Sequence, residues 1–173
     1  MRRRFSPHIP ALALAFLSIV VASCGPQPDI KTALKVVPTL TGYYDDGPSP
    51  DGQNRLLPSI TFQLKNEGDQ PLANIDLVIA YWEVGADGAN DDKQIRGIEG
   101  TPLEPGKTSD AITVRASIGY TSPAARADFF INSRYRGFVV KLFAKYRGKT
   151  TRLGEWPVEA RLIPAAHRDG ARP

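Results

Sequence analysis

The stretch Ser59–Asn66 (SITFQLKN) alternates apolar and polar side chains along its length, with Ile60, Phe62 and Leu64 on the apolar side. The stretch Asn74–Glu83 (NIDLVIAYWE) repeats this pattern. A period of two is typical of a β-strand that buries one face, because successive side chains of a strand point to opposite faces. The two stretches therefore predict a sheet with one face against the core.

Five further stretches predict strands, because they are rich in β-branched and aromatic residues or alternate in the same way: Ile30–Tyr44, Gln94–Ile98, Asp110–Ala116, Phe138–Tyr146 and Thr150–Val158. Pro38 interrupts the first of these, which predicts an edge strand or a bulge. Residues 45–54 (DDGPSPDGQN) predict a loop, since they are almost all turn-forming. One short helix is expected near residues 123–132, where Pro123 suits a first helical position.

About seven short strands separated by turn residues predict an all-β fold, a single immunoglobulin-like antiparallel β-sandwich over residues 30–163. Three motifs add a resemblance: Lys65-Asn66-Glu67-Gly68, then Pro71–Leu77, then Leu103-Glu104-Pro105-Gly106-Lys107 before a strand. Together they resemble the immunoglobulin-like or fibronectin-III-like modules of bacterial cell-envelope proteins. The resemblance covers roughly residues 57–116 and implies the fold, whereas such folds host many functions. The long segment 117–137 departs from the pattern.

The N-terminal residues carry a second, more specific motif, Val21-Ala22-Ser23-Cys24. It follows three arginines, Arg2 to Arg4, and an apolar run from Ile9 to Ala22. This arrangement resembles the bacterial lipoprotein signal, which implies cleavage between Ser23 and Cys24 and fatty acyl chains such as palmitate on Cys24. One alternative is an ordinary secretory signal. The other is a transmembrane anchor, which the length of the apolar run disfavours because it is shorter than the ~20 residues that a spanning helix needs.

The expected organisation is a signal peptide over residues 1–23, a lipidated tether over 24–29, the sandwich over 30–163 and a disordered tail over 164–173. Gly25 follows the modified cysteine. In lipoproteins of two-membrane bacteria an aspartate there usually signals retention in the inner membrane. The resemblance therefore implies an outer-membrane location facing the periplasm, if the source has two membranes.

Charge and residue usage exclude several function classes. Cleavage would remove three arginines and no acid, which leaves 19 basic against 18 acidic residues, so the chain lacks the strong positive charge typical of nucleic-acid binding. No cysteine follows Cys24, which excludes disulfides and a thiol nucleophile, and His167 is the one histidine left. No Ser-His-Asp set or glycine-rich phosphate loop is present. We expect a protein that is not an enzyme.

Two sets of residues are candidate binding sites. Three loops, 45–54, 85–92 and 117–137, are expected at one end of the sandwich, where calcium could bind to oxygen ligands from Asp45, Asp46, Asp51, Asp87, Asp91 and Asp92. The alternative is that these aspartates are solvated turn residues and that the protein has no cofactor. A partner surface, rich in the residue types of interface hot spots, is predicted from Trp82, Tyr120, Arg134, Tyr135 and Arg136. The alternative is that Phe129 and Phe130 plug the sandwich while arginines pair with the aspartates.

The expected function is that of a membrane-anchored cell-envelope lipoprotein whose β-sandwich binds or scaffolds without catalysis. Its partners would be the membrane, through the acyl chains on Cys24, and an envelope protein. A calcium- or carbohydrate-binding module is one alternative. An accessory subunit of an envelope transport or assembly complex, adding an edge strand to its partner, is another.

Overall fold

A computed structural model describes residues 27–49 and 51–163 of the chain. The predicted signal peptide, Cys24 and the tail over 164–173 lie outside the described residues. Eight strands are present: β1 (Leu34–Pro48), β2 (Asn54–Asn66), β3 (Ile75–Glu83), β4 (Asp91–Ile98), β5 (Ile112–Arg115), β6 (Tyr120–Ser122), β7 (Phe138–Tyr146) and β8 (Lys149–Pro157). Two short helices accompany them, α1 (Ile30–Ala33) and a 3₁₀ helix (Arg126–Asp128). None of the helices described is both long enough and apolar enough to cross a bilayer.

The strands form two antiparallel sheets. The first has the order β1-β2-β5, with β6 also paired to β2, and the second has the order β4-β3-β7-β8. The prediction of an all-β antiparallel sandwich is confirmed. The strand that sequence analysis missed is β6, whose three residues are too few for an alternating pattern to be visible; its pairing with β2 depends on tertiary contact.

The core lies between the sheets, as the period-two pattern predicts. Ile60, Phe62 and Leu64 of β2 are fully buried, and so are Leu77 and Tyr81 of β3. Since β2 lies between β1 and β5, both of its edges are hydrogen-bonded, and its polar side chains bond to β5: Ser59 donates to the Val114 carbonyl (3.0 Å), and the hydroxyls of Thr61 and Thr113 are 2.9 Å apart. Ser59 and Thr61 are therefore buried with their hydroxyls hydrogen-bonded.

Pro38 lies in edge strand β1, and the pairing of β1 with β2 shifts register between Pro38 and Leu40. Both features predicted from that proline are therefore present. A proline has no N–H to donate to a sheet hydrogen bond, and it is tolerated there because an edge strand or a bulge leaves backbone N–H groups outside the ladder.

Two sequence expectations about β1 need correction. Residues Ile30–Ala33 form α1 rather than the start of a strand, because the side chain of Asp29 accepts a hydrogen bond from the Lys31 N–H (3.1 Å) and caps the helix. The loop expected over 45–54 is also shorter, since β1 continues to Pro48 and β2 begins at Asn54. Polar, turn-forming residues mark an exposed hairpin tip, but they do not prevent backbone pairing up to that tip.

The motif residues behind the envelope-module resemblance form one hydrogen-bonded junction. The side chain of Asn66, fully buried, donates to the carbonyls of Gln70 and Leu103 (both 2.8 Å) and accepts from the Gly68 N–H (2.9 Å). Its backbone bonds to Lys107 and to Gly106. Asn66 thus joins the end of β2 to the loop before β3 and to the loop after β4.

The length of β2 defines two ends of the sandwich. Its thirteen residues at ~3.3 Å each separate the ends by about 40 Å. At the basal end the described chain begins, and residues 27–30 lie beside the turn between β7 and β8. At the loop end lie the β1–β2 turn, the loop between β3 and β4, and the segment 117–137.

Candidate binding cleft

A cluster of aromatic rings closes the loop end of the sandwich. Neighbouring rings lie 5.2 to 6.2 Å apart between centroids, within the range of favourable aromatic contacts, and belong to Tyr43, Tyr120, Phe130, Tyr135 and Phe138. Tyr43 comes from an inward position of β1 and is fully buried. The other rings belong to the segment 117–137 and the start of β7, which fold over it.

The tyrosine hydroxyls of the cluster are hydrogen-bonded within the protein. Tyr135 donates to the hydroxyl of Tyr43 (3.1 Å), and the Tyr120 hydroxyl accepts from the backbone N–H of Arg136 (3.0 Å). Burial is the main cause that raises the pKa of Tyr43 far above its usual value, and it also raises the pKa of Tyr120. The hydroxyls of Tyr43 and Tyr120 are therefore neutral structural groups at physiological pH.

A cleft of about 290 Å³ opens beside this cluster. Its lining combines aromatic rings with amide, hydroxyl and guanidinium groups, the mixture typical of small-ligand sites, and consists of Gln53, Tyr120, Thr121, Ser122, Pro123, Phe129, Asn132, Arg134 and Tyr135. Arg134 is exposed, and no salt bridge to it is found among the described residues.

The structure places three of the five predicted partner-surface residues, Tyr120, Arg134 and Tyr135, in the lining of this cleft. Arg136 lies next to it through its bond to Tyr120. Trp82 lies elsewhere: it is on the outer side of the second sheet, where the Lys141 ammonium stands 3.7 Å from its ring centroid. The outward position follows from the alternation of β3, in which Tyr81 points into the core.

Six lining residues lie outside the predicted partner surface, and two of these supply the amides of the cleft, Gln53 and Asn132. Neither belongs to a recognisable motif, and they are 79 positions apart in the sequence. The 3₁₀ helix lies within the span where a short helix was expected, and the buried Phe129 directly after it does plug the end of the sandwich. The one available sign in the sequence was the length of the segment 117–137, which is long enough to fold over the loop end of the sandwich.

The aspartates of the three loops form ion pairs and hydrogen bonds. Asp45 pairs with Arg126 (2.6 Å) across the loop end, and Asp46 pairs with Arg55 (3.3 Å). Asp91 pairs with Lys93 (3.5 Å) and also accepts from the Ser117 N–H. These bonds bring the three loops together, with cations rather than further carboxylates between them.

The remaining aspartates do not complete a cation site. Asp51 bonds to the hydroxyl of Ser49 within the hairpin tip, whereas Asp87 and Asp92 are exposed. Over residues 27–49 and 51–163, no group of three or more His, Cys, Asp or Glu side chains is arranged to hold a metal ion. The six aspartates predicted as calcium ligands therefore do not come together as such a set.

Comparison with known proteins adds little beyond the fold. No family model matches the chain, and no curated protein matches it. The solved structures that resemble it include the β-glucuronidase of Parabacteroides merdae with glycerol in its active site (11% identity, TM-score 0.36) and a calcium-binding mutant of β-glucuronidase 2 from Bacteroides uniformis (16% identity, TM-score 0.37). The matches cover 71% and 72% of this chain but 13% and 12% of the glucuronidases.

The chain thus spans about an eighth of the length of those enzymes. At such identities a likeness concerns the β-sandwich alone, and no activity or ligand is carried over from them. The assignment of the sandwich stands on the strands and sheets of the chain itself.

Proposed function

We propose that the mature protein is a lipid-anchored, non-catalytic binding module of the bacterial cell envelope, with the cleft at the loop end as its binding site. The motif Val21-Ala22-Ser23-Cys24 supports the anchor. Gly25 supports an outer-membrane location facing the periplasm in a source with two membranes. The binding role rests on the cleft and on its position in the fold.

The observation that carries the proposal is the separation of the cleft from the start of the described chain. Gln27 lies at the basal end, whereas Gln53 and Tyr120 line the cleft at the other end of β2, about 40 Å away. In a module held by acyl chains on Cys24, the basal end would lie next to the bilayer. The cleft would then face away from the membrane, where a partner can reach it.

The composition of the cleft favours a protein partner. Tyr and Arg are the residue types most enriched among interface hot spots, and here Tyr120, Tyr135 and Arg134 lie together. The tyrosines are held in place by their hydrogen bonds, so little conformational entropy is lost on binding. Ile131, next to the cleft residue Asn132, is 80% exposed and adds apolar surface beside it.

Site-specific photocrosslinking in intact cells tests the binding role. A photoreactive amino acid at Ile131 is expected to give one discrete adduct, which the substitution Arg134→Glu weakens at least tenfold. The matched control places the same probe at Arg152, an exposed position of β8 outside the cleft lining. An adduct at Arg152 alone would assign the interaction to the edge strand β8, as in an assembly subunit. The absence of an adduct at both positions would contradict the proposal.

Mass spectrometry of the protein from native membranes tests the anchor separately. The expected species begins at Cys24 and carries fatty acyl chains on that residue. A chain that retains residues 1–23, or one with an unmodified thiol, would contradict the anchor without affecting the cleft.

A soluble carbohydrate is the second candidate ligand. The partly exposed rings of Tyr120 and Tyr135 stand beside the amides of Gln53 and Asn132, and aromatic faces with planar polar groups suit a sugar ring. Calorimetric titration with envelope oligosaccharides separates this ligand from a protein partner. Calcium is not favoured, because two of the candidate ligands, Asp45 and Asp46, are paired with Arg126 and Arg55.

A further inference from the structure

A second cavity lies at the basal end of the sandwich. Its volume is also about 290 Å³, and it is lined by the start of the described chain and by the turn between β7 and β8: Gln27, Pro28, Asp29, Ile30, Tyr146, Arg147, Lys149 and Thr151. The cleft at the loop end contains none of these residues. The cavity therefore needs its own explanation.

The basal cavity has a cationic rim. Arg147 and Lys149 are exposed, and neither forms a salt bridge within residues 27–49 and 51–163. The acidic member of the lining is Asp29, whose carboxylate is already engaged in capping α1. Lys31 follows on the exposed side of that helix. A ligand that complements this rim carries negative charge.

Arg147 occupies a backbone conformation that its residue type disfavours. Its φ is 48° and that of Gly148 is 79°, so both central residues of this two-residue turn are left-handed. Such turns strongly favour Asn-Gly, because glycine has no Cβ to clash and the short asparagine side chain can hydrogen-bond to the nearby backbone, whereas a longer side chain is strained. Strain of this kind concentrates at functional positions, and the exposed guanidinium is what an arginine provides here and an asparagine does not.

The position of the predicted anchor identifies the ligand. Cys24 is three residues before Gln27, and three residues span at most about 11 Å. Acyl chains on Cys24 would thus enter a bilayer within that distance of the cavity lining. We propose that the basal end rests on the membrane surface and that Arg147 and Lys149 bind the phosphates of anionic phospholipid headgroups. The inference rests on the proposed lipid anchor.

Depth measurements on the acylated full-length mature protein in vesicles test this inference. Cys24 is the one cysteine of the chain, so a cysteine introduced at Thr150 or at Ser133 takes a nitroxide label specifically once Cys24 is acylated. Thr150 lies at the basal end and Ser133 lies at the loop end, and both are exposed. With phosphatidylglycerol in the bilayer, the Thr150 label is expected to contact headgroup-bound relaxing agents while the Ser133 label does not.

The double substitution R147N/K149Q removes both charges and leaves a turn that asparagine suits. It is expected to fold at least as stably as the natural chain and to lower the ratio of docked to undocked molecules about thirtyfold, since each basic group near an anionic surface contributes about fivefold. The matched control R147K/K149R retains both charges and should dock normally. Vesicles of phosphatidylcholine alone should abolish the difference between the two variants.

The outcomes separate the inference from the anchor on which it depends. If intact mass shows acylated Cys24 but both labels are equally far from the bilayer, the inference fails and the anchor stands. If R147N/K149Q docks as the natural chain does, the role of these two cations is overturned. If Cys24 carries no acyl chain, both proposals fall.

Discussion

Asn66 shows how one buried polar side chain can determine the path of several loops. A buried amide is tolerated only when its donors and acceptors are satisfied, and the Asn66 amide makes three hydrogen bonds to three different residues. Those bonds hold the chain reversals after β2 and before β5. The motif that resembles envelope modules is thus a structural junction, and it carries no information about the ligand.

We expect Asn66→Ala to lower the free energy of unfolding by about 3 kcal/mol, because three hydrogen bonds of a buried side chain are lost at once, those to the carbonyls of Gln70 and Leu103 and to the Gly68 N–H. Asn66→Asp should cost at least as much, since a carboxylate cannot donate to the carbonyls of Gln70 and Leu103. The control is Asn90→Ala, an exposed amide with one hydrogen bond to Glu83 (2.7 Å). Urea denaturation measures all three, and equal losses at positions 66 and 90 would contradict the role given to Asn66.

At the scale of elements, β2 organises the first sheet and both ends of the molecule. It pairs with β1 along almost its whole length, with β5 in the middle and with β6 at the loop end. The passage from β5 to β6 runs so close to β2 that a Cβ on Gly119 would overlap the Leu56 carbonyl. This close approach positions Tyr120 in the cleft lining.

The substitution Gly119→Ala tests whether that approach supports the cleft. We expect a loss of about 2 kcal/mol in stability from overpacking and faster amide exchange in β6, because Tyr120 can no longer pair with Leu56. Gly88→Ala serves as the control, since no atom lies within 4 Å of a Cβ there and its φ is not left-handed. Hydrogen-exchange mass spectrometry that finds β6 equally protected in both variants would refute this role of Gly119.

For the whole molecule, contact between the two sheets depends on the core and on one buried hydroxyl. The Tyr81 side chain of β3 crosses the sandwich and donates to the Val114 carbonyl of β5 (2.8 Å). Burial is the main cause that raises the pKa of Tyr81 well above its usual value, as it does for Tyr43. Both groups must stay neutral for the native packing to persist.

Stability should therefore fall at alkaline pH. The contribution of each raised pKa is complete below the unfolded-state value of about 10 and is lost as the pH rises from there toward the folded-state value, at about 1.4 kcal/mol per pH unit for each group. Tyr81→Phe should cost about 1 kcal/mol at pH 7, where the hydrogen bond to Val114 is lost. That deficit should shrink between pH 10 and pH 11, because the variant has one fewer hydroxyl to ionise.

Thermal melting of Tyr81→Phe and the natural chain from pH 7 to pH 11 measures this. If the melting temperatures of the two proteins fall in parallel above pH 10, Tyr81 does not control stability at alkaline pH. Tyr43→Phe provides a second test in the aromatic cluster at the loop end.

The sequence by itself determined the β-sandwich and most of its strands, because strand formation depends on a local pattern. The period of two placed Ile60 and Leu77 in the core, and β7 has the predicted bounds. Local composition was less reliable where the same turn-forming residues are compatible with either a loop or the paired end of a hairpin. The residues after Tyr44 were suited to a loop, yet β1 continues to Pro48. Lipidation of Cys24 remains a prediction from the same local evidence.

Only the tertiary structure decided which polar groups meet. Asp45 and Arg126 are 81 positions apart, and their ion pair makes a cation-binding role for that aspartate unnecessary. Gln53 and Asn132 join Tyr120 in one cleft although no motif links them. Side-chain alternation is a property of consecutive residues, whereas pairing and cleft formation depend on how the sheets and the segment 117–137 pack. That packing arises from long-range contacts, which no local pattern encodes.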